Sequence, residues 1–272
     1  MQTGRVDVRR NTRRGSYTAL AVFAIGAVVA APAVAGAQVS VDEAEMFLDP
    51  SMGGRHTGSF TVTNEGGGVA QVTIYLQDWD RQENGEHRFL PTGTLPQSCA
   101  KYLQVFPLAL RLPPGSRQMV RLALQGADSL AGACWSIAFV ETSASATGTS
   151  RHVTYVTRLG VKIYVVPEGL TKEGAVEDMV LEPGDSSGRR LAVTFHATGG
   201  RPLWVRGSVE YRRPDNTVAA VDSVPEFPVQ PGARRRVSVP VHKLAPGKYL
   251  TLALLDYGGS EIAAGQISLE VP

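Results

Sequence analysis

The sequence predicts an all-β protein: two tandem immunoglobulin-like β-sandwich domains after a signal peptide. Its 272 residues suit one large domain or two of ordinary size. After residue 38, short runs of β-branched and aromatic residues alternate with clusters of Gly, Pro, Asn and Asp, and no amphipathic helix pattern is evident. The pattern breaks near Pro167, and a second series of strands follows. We therefore expect a signal peptide over 1–37, a first sandwich over 38–167 and a second, smaller sandwich over 168–272.

The first 37 residues have the order of a secretory signal peptide. Five arginines lie between residues 5 and 14, residues 19–31 form an apolar run, and the small residues Ala-Gly-Ala at 35–37 suit a cleavage site. The alternative is a membrane anchor, but this run is shorter than the about 20 residues that a membrane span requires. We expect cleavage after Ala37 and an exported protein that keeps no stable membrane span.

The strands are predicted from period-two alternation between turn signals. Residues 59–64 alternate and end in a run of glycines, and the next run places Val72, Ile74 and Leu76 on one face. Asn84-Gly85 is a tight-turn signal. Turns at this spacing are typical of an immunoglobulin-like sandwich. We expect strands at 59–64, 69–79, 102–112, 117–124, 134–142 and 153–166, and then at 189–197, 203–212, 217–224, 234–241, 248–256 and 261–271.

Composition and motifs argue against several classes of function. Without the five arginines and one aspartate before residue 38, the chain keeps 22 basic and 24 acidic side chains, which disfavours binding to nucleic acid. The sequence carries none of the common catalytic or nucleotide-binding motifs, and its five histidines lack metal-ligand spacing. We therefore expect no enzyme activity, no cofactor and no metal. Asp78 and Asp80, which share one face of a strand, are interpreted as a solvated strand end.

The two cysteines, Cys99 and Cys134, lie near the starts of predicted strands. In an exported protein they meet an oxidising compartment, so we expect them to form a disulfide. Two free thiols are the alternative. Redox catalysis is not expected because the sequence lacks a Cys-x-x-Cys motif.

Four segments of the first domain carry a family resemblance. They are residues 39–41 with 46–49, residues 60–64 with 77–79, residues 106–121, and residues 135–141 with 161–167. The third contains Leu-Pro-Pro-Gly-Ser-Arg-Gln-Met-Val-Arg, and the fourth is a hydrophobic strand that bears Lys162 and is closed by Pro167. In this order they resemble the N-terminal domain of the periplasmic pilus-assembly chaperones, the PapD-like group. The second domain fits that two-sandwich plan without a motif of its own.

The resemblance implies a binding site for a protein client, such as a pilin-like envelope subunit, and a location in the bacterial periplasm. In the family, the lysine on the last strand helps to hold the client's terminal carboxylate, and Lys162 matches it. Alternate apolar residues of that strand complete the client by strand addition, and here Val153, Tyr155 and Leu159 are the candidates. The family's arginine on the first strand is replaced by Glu45, or by Glu43 if the register shifts by two residues. Arg121 and Arg158 are candidate substitutes for that arginine.

Two functions from different classes fit these observations. The first is an exported chaperone that binds an extended segment of a pilus or surface-assembly subunit by β-strand addition. The second is a non-catalytic structural or adhesive envelope protein with tandem immunoglobulin-like domains, in which the apolar strand is a paired core strand. A client held along residues 153–165 distinguishes the first from the second.

Overall fold

The chain folds into two β-sandwiches whose cores are built from alternating apolar residues. The computed structural model describes residues 38–128, 130–147, 152–185, 188–241 and 243–271. The predicted signal peptide lies outside these residues. One 3₁₀ turn, Ala100–Tyr102, interrupts the strands of the first sandwich. No helix within the described ranges is long and apolar enough to cross a membrane.

The first sandwich packs a four-stranded sheet against a six-stranded sheet. Its strands are β1 Val39–Val41, β2 Glu45–Leu48, β3 Thr57–Asn64, β4 Ala70–Arg81, β5 His87–Leu90, β6 Leu103–Phe106, β7 Ala109–Leu112, β8 Arg117–Leu124, β9 Cys134–Thr147 and β10 His152–Val165. The four-stranded sheet has the order β1-β3-β8-β6, and the six-stranded sheet has the order β2-β10-β9-β4-β5 with β7 also paired to β4. Period-two burial of Phe60, Val120 and Val161, among others, builds the core between the sheets.

The second sandwich is smaller and has a core of its own. Its strands are β11 Gly174–Asp185, β12 Gly188–Ala197, β13 Leu203–Arg212, β14 Val218–Val229, β15 Arg234–Pro240, β16 Gly247–Asp256 and β17 Ala263–Val271. A sheet with the order β11-β12-β15 faces a sheet with the order β14-β13-β16-β17. Phe195, Tyr211 and Leu255 are fully buried between them. The predicted class, all-β with two immunoglobulin-like sandwiches, is confirmed, and the domain boundary near Pro167 stays a prediction.

The observed strands depart from the predicted ones at β6–β7 and at β11. The single strand expected at 102–112 is two strands, because Pro107, which has no backbone N–H, separates β6 in one sheet from β7 in the other. Strand β11 was not predicted at all. Its pairing with β12 shifts register after Val176 and again after Glu182, so its apolar residues fall out of a simple period of two.

Candidate partner-binding edge and domain junction

Strand β10 is paired along its whole length on one side and along a third of it on the other. Strand β9 pairs with residues 152–165 without a register shift. Strand β2 runs parallel to β10 on the opposite side, but it pairs only with residues 162–165. Within the described residues, no strand lies against this outer edge of β10 along residues 152–160.

The backbone groups that face the open edge belong to the even-numbered residues of β10. The N–H of Lys162 donates to the carbonyl oxygen of Ala44 at 2.9 Å, and the N–H of Val166 donates to that of Leu48, also at 2.9 Å. Even-numbered residues therefore point toward β2. Since the pairing with β9 is regular, Thr154, Val156, Arg158 and Gly160 direct their N–H and C=O groups outward, beyond the end of β2.

The side chains of β10 divide the strand into a core half and an exposed half. Val161 and Ile163 are fully buried, and Leu159 packs against the same core. Tyr155 lies on the same face by alternation but is 62% exposed, and Val156 on the opposite face is 57% exposed. Of the predicted apolar series, Tyr155 is therefore available to a partner and Leu159 contributes to the core. The backbone of Val153 pairs with Ala146, and its side chain lies outside the described part of the chain.

Lys162 forms an ion pair inside the protein. The parallel register places Lys162 directly opposite Glu45, and Lys162 Nζ donates a hydrogen bond to Glu45 Oε1 at 3.0 Å. The two side chains are only 20% and 27% exposed. Lys162 Nζ also lies 5.3 Å from the ring centroid of Trp79, within the range of a cation–π contact. The lysine that matches the family position therefore has a carboxylate partner already.

The two candidate arginines lie in different places. Arg121 is on β8 in the four-stranded sheet, and because Val120 and Leu122 are buried, its side chain points away from the core. It lines a surface groove with Phe106 and Met119 rather than sharing the six-stranded sheet with Lys162.

Arg158, on β10, bonds to a carboxylate of its own sheet. Its Nε donates to Glu141 Oε2 at 3.1 Å, and the same oxygen accepts the Tyr75 hydroxyl at 2.7 Å. These bonds, Tyr75 first, hold the pKa of the Glu141 carboxyl below its usual value.

A basic cluster that sequence reasoning missed surrounds the ion pair. The pKa of His87 is lowered to about 4 by partial burial of the imidazole and by the positive charges of Arg81, Lys162 and Arg235. Burial also lowers the pKa of Arg81 and of Arg235. No single motif marks these residues, because they come from β4, β5 and the second sandwich. The tight-turn signal at Asn84-Gly85 was the only local indication of the hairpin that brings them together.

That hairpin holds the two sandwiches against each other. The carbonyl oxygen of Glu83 accepts the backbone N–H of Arg236 at 2.8 Å and Arg235 Nη1 at 2.6 Å. Gly85 has φ +96°, and a Cβ there would collide with the Arg235 guanidinium. Glycine at the turn is therefore what allows the arginine of the second sandwich to approach.

Aromatic rings pack together where the six-stranded sheet meets the second sandwich. The rings of Phe47 and Tyr164 stack with centroids 5.0 Å apart, and Phe47 meets Trp204 of the second sandwich edge-on at 5.4 Å. Trp79 lies 5.9 Å from Tyr164. Burial raises the pKa of the Tyr164 phenol. The face of the six-stranded sheet that points away from its own core is therefore also apolar where it meets the second sandwich.

The cysteine prediction is confirmed and the aspartate interpretation is corrected. Cys99 and Cys134 form a disulfide with Cα atoms 5.1 Å apart, and both are buried. Asp78 is not solvated: it is fully buried and accepts hydrogen bonds from Ser98 Oγ at 2.5 Å and from the N–H of Leu95 at 2.9 Å. Asp80, by contrast, pairs with Arg88 near the surface.

Comparisons with known proteins give similar solved structures. No protein-family model and no curated protein matches the chain. The class 5 fimbriae chaperone CfaA is 12% identical with a TM-score of 0.48, covering 86% of this chain and 100% of its own. A chain of the CsuC–CsuE chaperone–tip adhesion subunit complex from archaic chaperone-usher Csu pili of Acinetobacter baumannii is 8% identical with a TM-score of 0.46, covering 85% and 97%. The E. coli chaperone DraB is 16% identical with a TM-score of 0.42, covering 86% and 99%.

Proposed function

We propose that the chain is an exported, non-catalytic chaperone of the periplasm that binds an extended segment of a pilus or surface-assembly subunit by β-strand addition. The observation that carries the proposal is the open outer edge of β10 along residues 152–160. The bound segment continues the six-stranded sheet on the side where β2 ends.

The open edge suits strand addition because its donors and acceptors are regularly spaced. Four successive outward residues, from Thr154 to Gly160, each offer one N–H and one C=O to a partner strand. Exposed apolar side chains at Tyr155 and Val156 lie along the same edge. An unpaired, partly apolar strand edge promotes aggregation unless another strand pairs with it. A client segment bound along this edge would supply that pairing.

The ion pair changes how a client's carboxylate would be held. Lys162 is the residue that the family resemblance assigns to that carboxylate, but Glu45 already occupies it at 3.0 Å. A client carboxylate reaches Lys162 only by displacing or sharing Glu45. We therefore assign most of the affinity to main-chain pairing along residues 154–160, with Lys162 in a secondary role.

A substitution pair at Val156 tests the edge. Val156→Pro removes an outward N–H and adds a ring at the edge but leaves the hydrogen bonds to β9 in place, whereas Val156→Thr keeps the N–H. We expect wild type and Val156→Thr to copurify with the same exported subunit and Val156→Pro to lose it, while Val156→Pro unfolds within a few degrees of wild type. Thr157→Pro, which removes an N–H directed at β9, is the control that should destabilise the fold itself.

Two outcomes would contradict the proposal. Capture of the same subunit by Val156→Pro and wild type would show that the client binds elsewhere. A wild-type protein that copurifies with no subunit, while subunits are present in the same compartment, would favour the tandem structural or adhesive envelope protein instead.

A further inference from the structure

A cavity of about 210 Å³ lies where the connection between the sandwiches meets both of them. The first sandwich contributes Phe47, the connection contributes Lys172, and the second sandwich contributes Arg201, Trp204 and Tyr257. The cavity is separate from the open edge of β10, and nothing in the proposed strand addition uses it.

Backbone hydrogen bonds hold together the two segments that carry the basic residues of the cavity. The carbonyl oxygen of Thr171 accepts the N–H of Gly200 at 3.1 Å and the N–H of Arg201 at 3.2 Å. The carbonyl oxygen of Glu173 accepts the N–H groups of Thr198 and Gly199. Lys172 lies between these two acceptors, so the connection is held on both sides of it against the turn that carries Arg201.

A glycine makes room for the lysine. A Cβ at Gly258 would lie 3.0 Å from Lys172 Nζ, and Gly258 has φ +73°, a conformation that favours glycine. The ammonium group of Lys172 therefore lies directly over the backbone of the turn that follows β16. A larger residue at this position would displace the ammonium from the cavity wall.

The charged side chains that line the cavity, Lys172 and Arg201, are both cations. Neither Lys172 nor Arg201 takes part in a salt bridge within the described part of the chain. Arg201 interacts at longer range with Asp49, whose carboxylate already accepts the N–H of Ser51. The cavity therefore presents two cations that have no close ion-pair partner among the described residues.

The remaining walls are aromatic. Trp204 and Phe47 meet edge-on with centroids 5.4 Å apart, Phe47 is 40% exposed, and Tyr257 is buried beside them. Rings of this kind stack or pack edge-on against a planar apolar group. The volume is below that of sites for drug-sized ligands, so it suits one ring with one short substituent.

We propose that this cavity binds an aromatic carboxylate: a planar ring between Phe47, Trp204 and Tyr257, with its carboxylate on Lys172 and Arg201. The same chemistry has two sources, a free aromatic acid or the carboxyl-terminal aromatic residue of a polypeptide. Because the cavity joins parts of both sandwiches, its ligand also stabilises their contact.

Fluorescence titration of the purified chain tests the proposal, since Trp204 is the tryptophan in the cavity wall. The probes are phenylacetate, its neutral analogue phenylacetamide, a short peptide ending in phenylalanine with a free carboxylate, and the same peptide amidated. We expect saturable binding of at least one carboxylate probe and weaker binding of its amide. Ligand-observed NMR provides a readout that does not depend on tryptophan, so that Trp204→Phe can be measured too.

Charge-removing variants locate the ligand. We expect Lys172→Gln and Arg201→Gln each to weaken binding by about three- to fivefold, the range for a partly exposed ion pair. Lys248→Gln, which removes an exposed cation from β16 of the same sandwich, should leave binding unchanged. Thermal unfolding of each variant checks that the fold is retained.

The arms of the titration separate the two sources and can refute the proposal. Binding of phenylacetate alone identifies a free acid, and binding of the peptide alone identifies a chain terminus. Equal affinity for a carboxylate and its amide would overturn the assignment, as would unchanged affinity in both charge-removing variants. Absence of saturable binding by any carboxylate probe would overturn it as well.

Discussion

Removing the ion pair between Lys162 and Glu45 should measurably destabilise the first sandwich. Lys162 Nζ and Glu45 Oε1 are 3.0 Å apart, and the side chains are 20% and 27% exposed. Two opposite charges about 4 Å apart attract by about 1 kcal/mol in water and by about 4 kcal/mol in a partly buried site, before the desolvation cost is subtracted. We therefore expect a net coupling free energy of about 1–2 kcal/mol between these two side chains.

A double-mutant cycle measures that coupling. The variants are Lys162→Met, Glu45→Gln and the double variant, each in a Trp204→Phe background so that Trp79 and Trp135 of the first sandwich report on unfolding in urea. We expect each single variant to lower the free energy of unfolding and the double variant to lose less than the sum of the two. Coupling below about 0.3 kcal/mol, the limit within which independent sites add, would refute the reasoning.

The same variants test the role of Lys162 toward a client. Glu45→Gln removes the competing carboxylate, so a client that ends in a free carboxylate should bind about ten- to a hundredfold more tightly if Lys162 is its anchor. Lys162→Met should then abolish that gain. If Glu45→Gln leaves the affinity for the client unchanged, then Lys162 stabilises the first sandwich and does not bind the client.

Two further predictions concern the disulfide and the imidazole of His87. Cys99 and Cys134 are separated by 35 positions, so replacing both with alanine should lower the free energy of unfolding in urea by about 4 kcal/mol. A loss below about 1 kcal/mol would contradict the explanation that the disulfide acts by reducing the entropy of the unfolded chain. His87 should titrate near pH 4 instead of near 6.5 in an NMR titration. Since the folded chain then binds fewer protons than the unfolded chain, the stability from His87 is complete above pH 6.5 and decreases as the pH falls toward 4. His87→Gln should remove that decrease, and a measured pKa of about 6.5 would show that neither partial burial nor the neighbouring charges affect the imidazole.

The parts of the fold that follow from local alternation could be predicted from the sequence. Residues 59–64 bury Phe60, Val62 and Asn64 as a period of two requires. The disulfide was also predictable, because export and an isolated pair of cysteines left few alternatives. Strand β11 was not, since its bulges break the alternation on which the prediction depended.

The parts of the site that depend on register could not be predicted. Glu45 and Lys162 are 117 positions apart, and only the parallel pairing of β2 with β10 shows that they bond to each other. Asp78 was interpreted as solvated because its partners, Ser98 and Leu95, belong to a loop that folds back over the strand. The approach of Arg235 to Gly85 joins two separate sandwiches, so no local pattern reports it.

The shortness of β2 sets the boundary between the structural and the open parts of β10. Strand β2 ends at Leu48 because Pro50 follows two residues later and the carboxylate of Asp49 accepts the N–H of Ser51, which turns the chain away. It begins at Glu45, so the ion pair lies where strand closure stops and the open edge begins. Under the proposed function, a client strand added along that edge would meet a neutral Lys–Glu pair at this end instead of a free cation. Charge therefore gives little help in fixing the client's register. Under the proposed function, the exposed side chains of Tyr155 and Val156 would then select the client segment and its alignment.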